Sequence, residues 1–277
     1  MDMTLRTLVF TAPSGRLFEI REQNGEDEEI ITNPVDSKNL MNLTKYISAI
    51  VVKTNATKSG RLTIEDALKL PLLDRYCILF NSRIFSLGEE VEFTYKWDNK
   101  DSVTYSQDLR EFLFDYAVLP TEQELDEKPN AIPYYPGRKG EDGFTLMQYT
   151  EELNSGKVIQ FELMDGEKES QMVQLSPSKL TRHSTLLLRN LKLKVDDKFE
   201  KVENFSLFSS RDMAEIHRLV NTVDPIFHGY TQIENPETGQ TIDYPIMAAP
   251  DFFYLTGDII SVSYTHLRAH ETRGNLV

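Results

Sequence analysis

The stretch Ser59–Phe93, SGRLTIEDALKLPLLDRYCILFNSRIFSLGEEVEF, decides the fold class. Thr63 and Asp66 have the spacing of a capping box for a short helix ending near Leu70. Pro71 suits the first turn of a second helix. Leu73, Cys77, Phe80 and Ile84 then recur at helical spacing, and Leu72, Tyr76 and Leu79 widen the stripe. Gly88 is a natural C-terminal stop. Immediately beyond it, Val91, Phe93, Tyr95 and Trp97 alternate with Glu92, Thr94 and Lys96, as in a strand with one buried face. An amphipathic helix running straight into an alternating strand predicts an α+β protein.

Working outward, Thr7–Glu22 reads as a β-hairpin turning at Pro13-Ser14-Gly15. NGEDEE, residues 24–29, reads as an acidic loop, and residues 34–54 as a helix with Leu40, Leu43 and Ile47 on its apolar face. Asp98-Asn99-Lys100-Asp101 turns the chain after the strand, and SVTYS returns it. DLREFLFDYAVLP, residues 108–120, fits helix and strand equally. Between Pro120 and Gly143 prolines, glycines and charges dominate, which predicts a linker or a long surface loop.

The second half opens with a strand at KVIQFELM, residues 157–164, followed by an Asp165-Gly166 turn and a returning strand at SQMVQL, residues 170–175. Residues 176–195 are ambiguous and fit a helix. Ser209 and Asp212 cap a helix whose Met213, Ile216, Val220 and Val223 share a face. Residues 230–246 read as a hairpin with Asn235–Gly239 at its tip. Each half thus holds an amphipathic helix followed by a hairpin with a polar tip, Pro71–Ser106 and Asp212–Ile246, a shared plan rather than a sequence repeat. The expected organisation is an N-terminal lobe over 1–119, the linker or loop over 120–143, and a C-terminal lobe over 144–260.

Among 277 residues, 40% are hydrophobic and 27% charged, the balance of a globular protein with room for a sizeable core. No run of about 18 apolar residues predicts a membrane span, and the N-terminus lacks the basic start and apolar core of a secretory signal. A net charge of −14 repels phosphate backbones, and the basic clusters Arg138-Lys139 and Lys192/Lys194 are short, so nucleic acid is not an expected partner. Cys77 is the single cysteine, which excludes an intrachain disulfide and a Cys-x-x-Cys knuckle.

Catalytic patterns are missing. There is no Gly-x-Ser-x-Gly elbow and no phosphate-binding Gly-x-x-x-x-Gly-Lys-Ser/Thr loop; Gly137, Gly140 and Gly143 lie in a stretch that no strand feeds. His183, His217 and His228 read by default as satisfied or exposed side chains, and a hydrolase using His217 or His228 is the least favoured reading. Cys77 lies on an apolar stripe as a small hydrophobe. Trp97 fits either a partner contact or partial core burial. No catalytic residue, metal ligand or cofactor is assigned.

The run Leu70-Pro71-Leu72-Leu73-Asp74-Arg75-Tyr76-Cys77-Ile78-Leu79, with Arg83 and Gly88 leading into EEVEF, resembles the baseplate-hub or tail-assembly protein family of T-even-type contractile-tailed phages. GKVIQFELMDGEKE, DMAEIHRLVNTVD and APDFFY are similar to that family's later segments. The resemblance implies a structural virion component without catalysis, partnered by other tail proteins, made in the host cytoplasm and carried in the baseplate; the alternative is an assembly chaperone released from the finished tail. Relatives often carry paired cysteines at the hairpin tips, whereas here Trp97-Asp98-Asn99-Lys100 and Glu234-Asn235-Pro236-Glu237 hold no thiolate or imidazole, so no zinc is expected. The partner contacts expected are Asp74 and Arg75 on the helix, and Trp97, Asp98, Asn99, Asn235 and Glu237 at the tips. Packing and solvated turns would call for the same residue types.

His266 and His270, four apart in VSYTHLRAHET, have the spacing of a two-imidazole metal site. No Glu follows the first histidine, as the metalloprotease motif requires. The segment instead resembles the translated end of a sequencing adapter. Residues 261–277 are therefore expected to be a non-native tail, with native sequence stopping near Ile260.

Overall fold

A computed structural model describes residues 6–97, 102–176, 179, 181 and 183–254. The turn expected at Asp98–Asp101 and the tail expected over 261–277 lie outside the described residues.

The chain is an α+β protein built from antiparallel pieces. β1 (Thr7–Thr11) and β2 (Leu17–Arg21) form the expected hairpin, with Phe10 opposite Phe18. The acidic stretch after it is α1 (Gly25–Ile31), not a loop. Asn24 Oδ1 accepts from the Glu26 and Asp27 amides at 2.9 and 3.2 Å, and the Asp27 carboxylate accepts from the Asn24 amide at 2.8 Å. This capping box and the acids of the first turn suit the positive end of a helix. α2 (Met41–Ile50) follows a 3₁₀ turn at Asp36–Asn39 and ends where β3 (Val51–Thr54) joins β2 as the third strand of the sheet, so the single helix expected over 34–54 divides into three elements. β-branched residues at the junction favour a pleated surface over a helical one.

α3 (Ile64–Leu68) carries the expected Thr63/Asp66 capping box. α4 (Leu72–Leu87) starts after Pro71 and stops at Gly88, whose φ of 93° is a conformation that glycine adopts without strain. β4 (Glu90–Lys96) and β5 (Ser102–Asp108) follow as a hairpin. The segment that fitted helix and strand equally is neither for long: a 3₁₀ turn at Leu109–Phe112 is followed by irregular chain. Residues 120–143 form a long surface excursion with one short helix, α5 (Glu122–Glu127), pinned where Ala131, Ile132 and Tyr135 are buried.

β6 (Gln148–Glu152) and β7 (Val158–Glu162) open the second half. The strand expected to return after Asp165 is instead α6 (Gly166–Gln174), because Asp165 accepts from the Lys168 amide at 2.8 Å and caps a helix rather than closing a turn. α7 (Ser184–Leu188), β8 (Lys192–Val195) and β9 (Lys198–Lys201) resolve the ambiguous region, with β6, β7, β8 and β9 adjacent in that order in one antiparallel sheet. α8 (Ser210–Val223) has the expected Ser209/Asp212 capping box, and β10 (Tyr230–Glu234) pairs with β11 (Thr241–Pro245).

Each half therefore has its helix-then-hairpin unit, and a single core joins them. Buried residues from Ala12 to Phe253 form one connected cluster. Phe80 on α4 meets Phe112 from the first half at 5.3 Å and Phe227 and Phe252 from the second at 5.6 and 5.1 Å between ring centroids. The two hairpins stack as well: Phe93 of β4 lies parallel to Tyr244 of β11, with centroids 4.2 Å apart. No helix among the described residues is long and apolar enough to cross a membrane.

Candidate functional site

Asp74 and Arg75 sit in the first turns of α4, where helix geometry sends adjacent side chains in different directions. Both are interior, at 0% and 2% exposure, which overturns their expected role as surface contacts. Asp74 reaches the tip of the β1–β2 hairpin. Its carboxylate accepts from the Ser14 amide at 2.9 Å and from the Ser14 hydroxyl at 2.5 Å, with the Arg16 guanidinium 4.0 Å away. Burial pushes its pKa up to about 6, against the Ser14 and Arg16 interactions that pull it down.

Arg75 gathers three further elements. It donates to the Ala67 carbonyl of α3 at 2.7 Å and to the Thr44 hydroxyl of α2 at 3.0 Å, and it lies 3.7 Å from Glu169 of α6. Burial lowers its pKa, with Glu169 opposing. A Cβ added to Gly166 would stand 2.5 Å from the Arg75 guanidinium carbon, so this glycine lets α6 approach the arginine. Next along, the Tyr76 hydroxyl donates to Glu169 at 2.8 Å, and the Leu72 amide to the Met164 carbonyl at 3.0 Å. The Asp-Arg pair is a crosslink between the N-terminal hairpin, three helices and the second half.

Comparable clamps lie deeper in the second half. Asp224 accepts from the Arg189 guanidinium and, at 2.9 Å, from the Met164 amide. Lys168 bridges Asp165 at 2.5 Å and Glu162 at 3.1 Å. Buried charges held this way have their partners supplied by the fold, as the low interior dielectric requires.

Trp97 is also inside, at 4% exposure, so the core reading of this residue is the correct one of the two. Its indole N–H donates to the Tyr105 hydroxyl at 2.8 Å, and that hydroxyl donates to the Glu234 carbonyl at 2.8 Å, linking the two hairpins. Asn235 is buried too and acts within its own turn: its side-chain oxygen accepts from the Glu237 and Thr238 amides at 2.9 and 3.3 Å. Glu237 is exposed at the tip. Asp98 and Asn99 lie outside the described residues.

Sequence reading missed one pairing of chemically versatile side chains. His183 Nδ1 and His217 Nε2 are 3.0 Å apart, between the start of α7 and the middle of α8. The residues are 34 apart, and no short spacing signals the contact. His228 is exposed and stacks near Tyr230, with ring centroids 6.1 Å apart. Cys77 is buried, and burial raises its thiol pKa well above the ordinary value, so the nucleophilic thiolate is disfavoured. Among the described residues no three His, Cys, Asp or Glu side chains converge as a metal cluster. Val118 and Leu119 are adjacent apolar side chains at 63% and 73% exposure, on the irregular chain leading to the 120–143 excursion. No family model, no curated protein and no solved structure matches this chain.

Proposed function

We propose that the chain is a structural component of a contractile phage tail, placed at the baseplate or its hub and acting through protein–protein contacts. The observation that carries this reading is the role of Asp74 and Arg75. The helix that bears the resemblance to baseplate-hub proteins spends its charged pair on holding the chain together, with Asp74 on Ser14 and Arg75 on Ala67, Thr44 and Glu169. A body crosslinked in this way keeps its surfaces in fixed relation, which suits a part in an assembly.

On this reading the surfaces do the work. The exposed Val118-Leu119 pair and the Glu237 tip are the contact candidates, on a chain of net charge −14. The partners are other tail proteins, met in the host cytoplasm during assembly and kept in the virion. The reading assigns no reaction to the chain.

The test is mass spectrometry of purified particles of the encoding phage, with co-purification of the tagged full chain from infected cells. Recovery in mature particles together with tail proteins is expected. Recovery on tail intermediates alone would identify an assembly chaperone. Absence from particles with no tail protein bound would overturn both.

A further inference from the structure

His183 and His217 come together in a surface pocket of about 320 Å³ that Phe205, Phe208, Ser210 and Met213 also line. The rings lie 29° from parallel with centroids 5.2 Å apart, and the His183 ring packs on Phe205 at 4.9 Å. Both histidines are half-buried, so their positions are set by packing while the pocket stays open to solvent.

We propose that His183 and His217 hold a borderline divalent transition-metal ion of the zinc–copper class. The 3.0 Å between Nδ1 and Nε2 is a contact in which one nitrogen carries a proton and the other offers a lone pair. Exchanging that proton for a cation keeps both nitrogens engaged. Two imidazole nitrogens each about 2.1 Å from one ion stand roughly 3.0 Å apart when cis at a right angle and roughly 3.4 Å apart at a tetrahedral angle. The observed separation lies at the near end of that range; the hydrogen-bonded nitrogens aim at each other, so each ring must turn by roughly 45° for both lone pairs to meet one ion. Imidazole pairs favour zinc, copper and nickel over calcium or magnesium.

Met213 is one helical turn before His217 on α8 and lines the same pocket, bringing a soft thioether to the same face. Water fills the remaining positions, which makes this an open site and not a closed structural knuckle. The ion would tie α7 to α8. This site is separate from the hairpin tips, where the resemblance to cysteine-bearing relatives would have placed zinc.

The test uses the full chain with His266→Ala and His270→Ala, so that the tail contributes no imidazole. After chelator treatment it is titrated with Zn²⁺ by calorimetry. One ion per chain is expected, with a saturable rise in Tm. His183→Asn and His217→Gln each keep a polar atom near the nitrogen they replace, so a contact that is only a hydrogen bond survives them. Either substitution is expected to weaken Zn²⁺ binding by at least ~10-fold, since even outer-shell changes at metal sites cost that much. As a second measurement without substitution at the site, Zn²⁺ should shift the imidazole nitrogen resonances of His183 and His217 and leave those of His228 in place. No binding, binding unchanged in both variants, or resonances at 183 and 217 that do not move would each overturn the proposal.

Discussion

α4 and α8 each open a helix-then-hairpin unit, and each carries an aspartate at its third position beside an arginine. In α8 the pair divides between a cap and the surface. Asp212 closes a capping box with Ser209 and takes the Lys157 ammonium at 2.7 Å, while Arg211 is exposed. In α4 the pair goes inward. Pro71 offers no side-chain cap, Asp74 crosses to Ser14 sixty residues away, and Arg75 is buried between α2, α3 and α6. Both aspartates are buried and both reach a partner more than fifty residues away, but only Asp212 also caps its own helix, and of the two arginines only Arg75 is buried. Which arrangement occurs is set by what packs over the helix, since a lone buried charge is too costly to keep without partners.

The largest break in this comparison should come from Arg75→Met. The substitution keeps volume but leaves Glu169 without its guanidinium and frees the Ala67 carbonyl inside the core. Removing one member of a buried pair costs about 3–5 kcal/mol. Arg211→Met on the exposed side of α8 should stay within about 0.5 kcal/mol. Urea denaturation of the two variants reads the difference directly, and equal effects would mean that Arg75 is not a crosslink.

The aspartates should respond to pH with opposite signs. Asp74 has its folded pKa raised from 3.8 to about 6, so the folded state prefers the protonated acid. Its contribution is greatest below the unfolded value and is lost as pH rises through about 6. Relative to Asp74→Asn, the native chain should gain up to about 3 kcal/mol as pH falls from 7 to 4. Asp212 is held well below the ordinary aspartate range, first by Lys157, then by Ser155 and Ser209. Its contribution is present above 3.8 and is lost as pH falls below it, so Asp212→Asn should cost more at neutral pH than in acid. Denaturation midpoints across pH 3 to 8 check both; parallel profiles would remove the contrast.

The parts of this contrast that depend on neighbours in sequence were legible there. The Thr63/Asp66 and Ser209/Asp212 boxes, the stop at Gly88 and the alternation over 91–97 all rest on groups within a few residues. Two of the misreadings share one cause. Asn24 and Asp165 read as loop and turn residues, yet each caps a helix, because the same side chains serve both. The site was less legible. An exposed-looking Asp-Arg pair on an amphipathic helix gives no sign of Ser14 or Glu169, and the His183–His217 contact joins residues with no shared pattern. Burial is a property of the assembled layers, so charge alone could not place Asp74 and Arg75 inside.

A smaller effect sharpens the capping side of the comparison. Ser209→Ala removes the side-chain acceptor of the Asp212 amide and should destabilise by about 1 kcal/mol. The deficit should be readable as a shift of the urea midpoint with unchanged slope. α4 has no side-chain cap to lose, so Pro71→Ala should produce no capping deficit, and any change there must come from the backbone restriction that proline imposes.

The smallest effect belongs to the hairpin tips. Asn235 holds its turn from inside through the Glu237 and Thr238 amides, while Glu237 projects from the exposed end of the same turn. Asn235→Ala removes both acceptor contacts and should cost on the order of 1 kcal/mol in stability. Glu237→Lys leaves the turn amides satisfied and should cost less than Asn235→Ala. That difference makes Glu237→Lys the better probe of the surface. If the tip meets a partner, the charge reversal should slow association and alter its salt dependence while the unfolding curve stays in place. A stable variant that associates with tail proteins at the native rate would mean that the β10–β11 hairpin, like the buried pair of α4, is occupied entirely with holding the fold together.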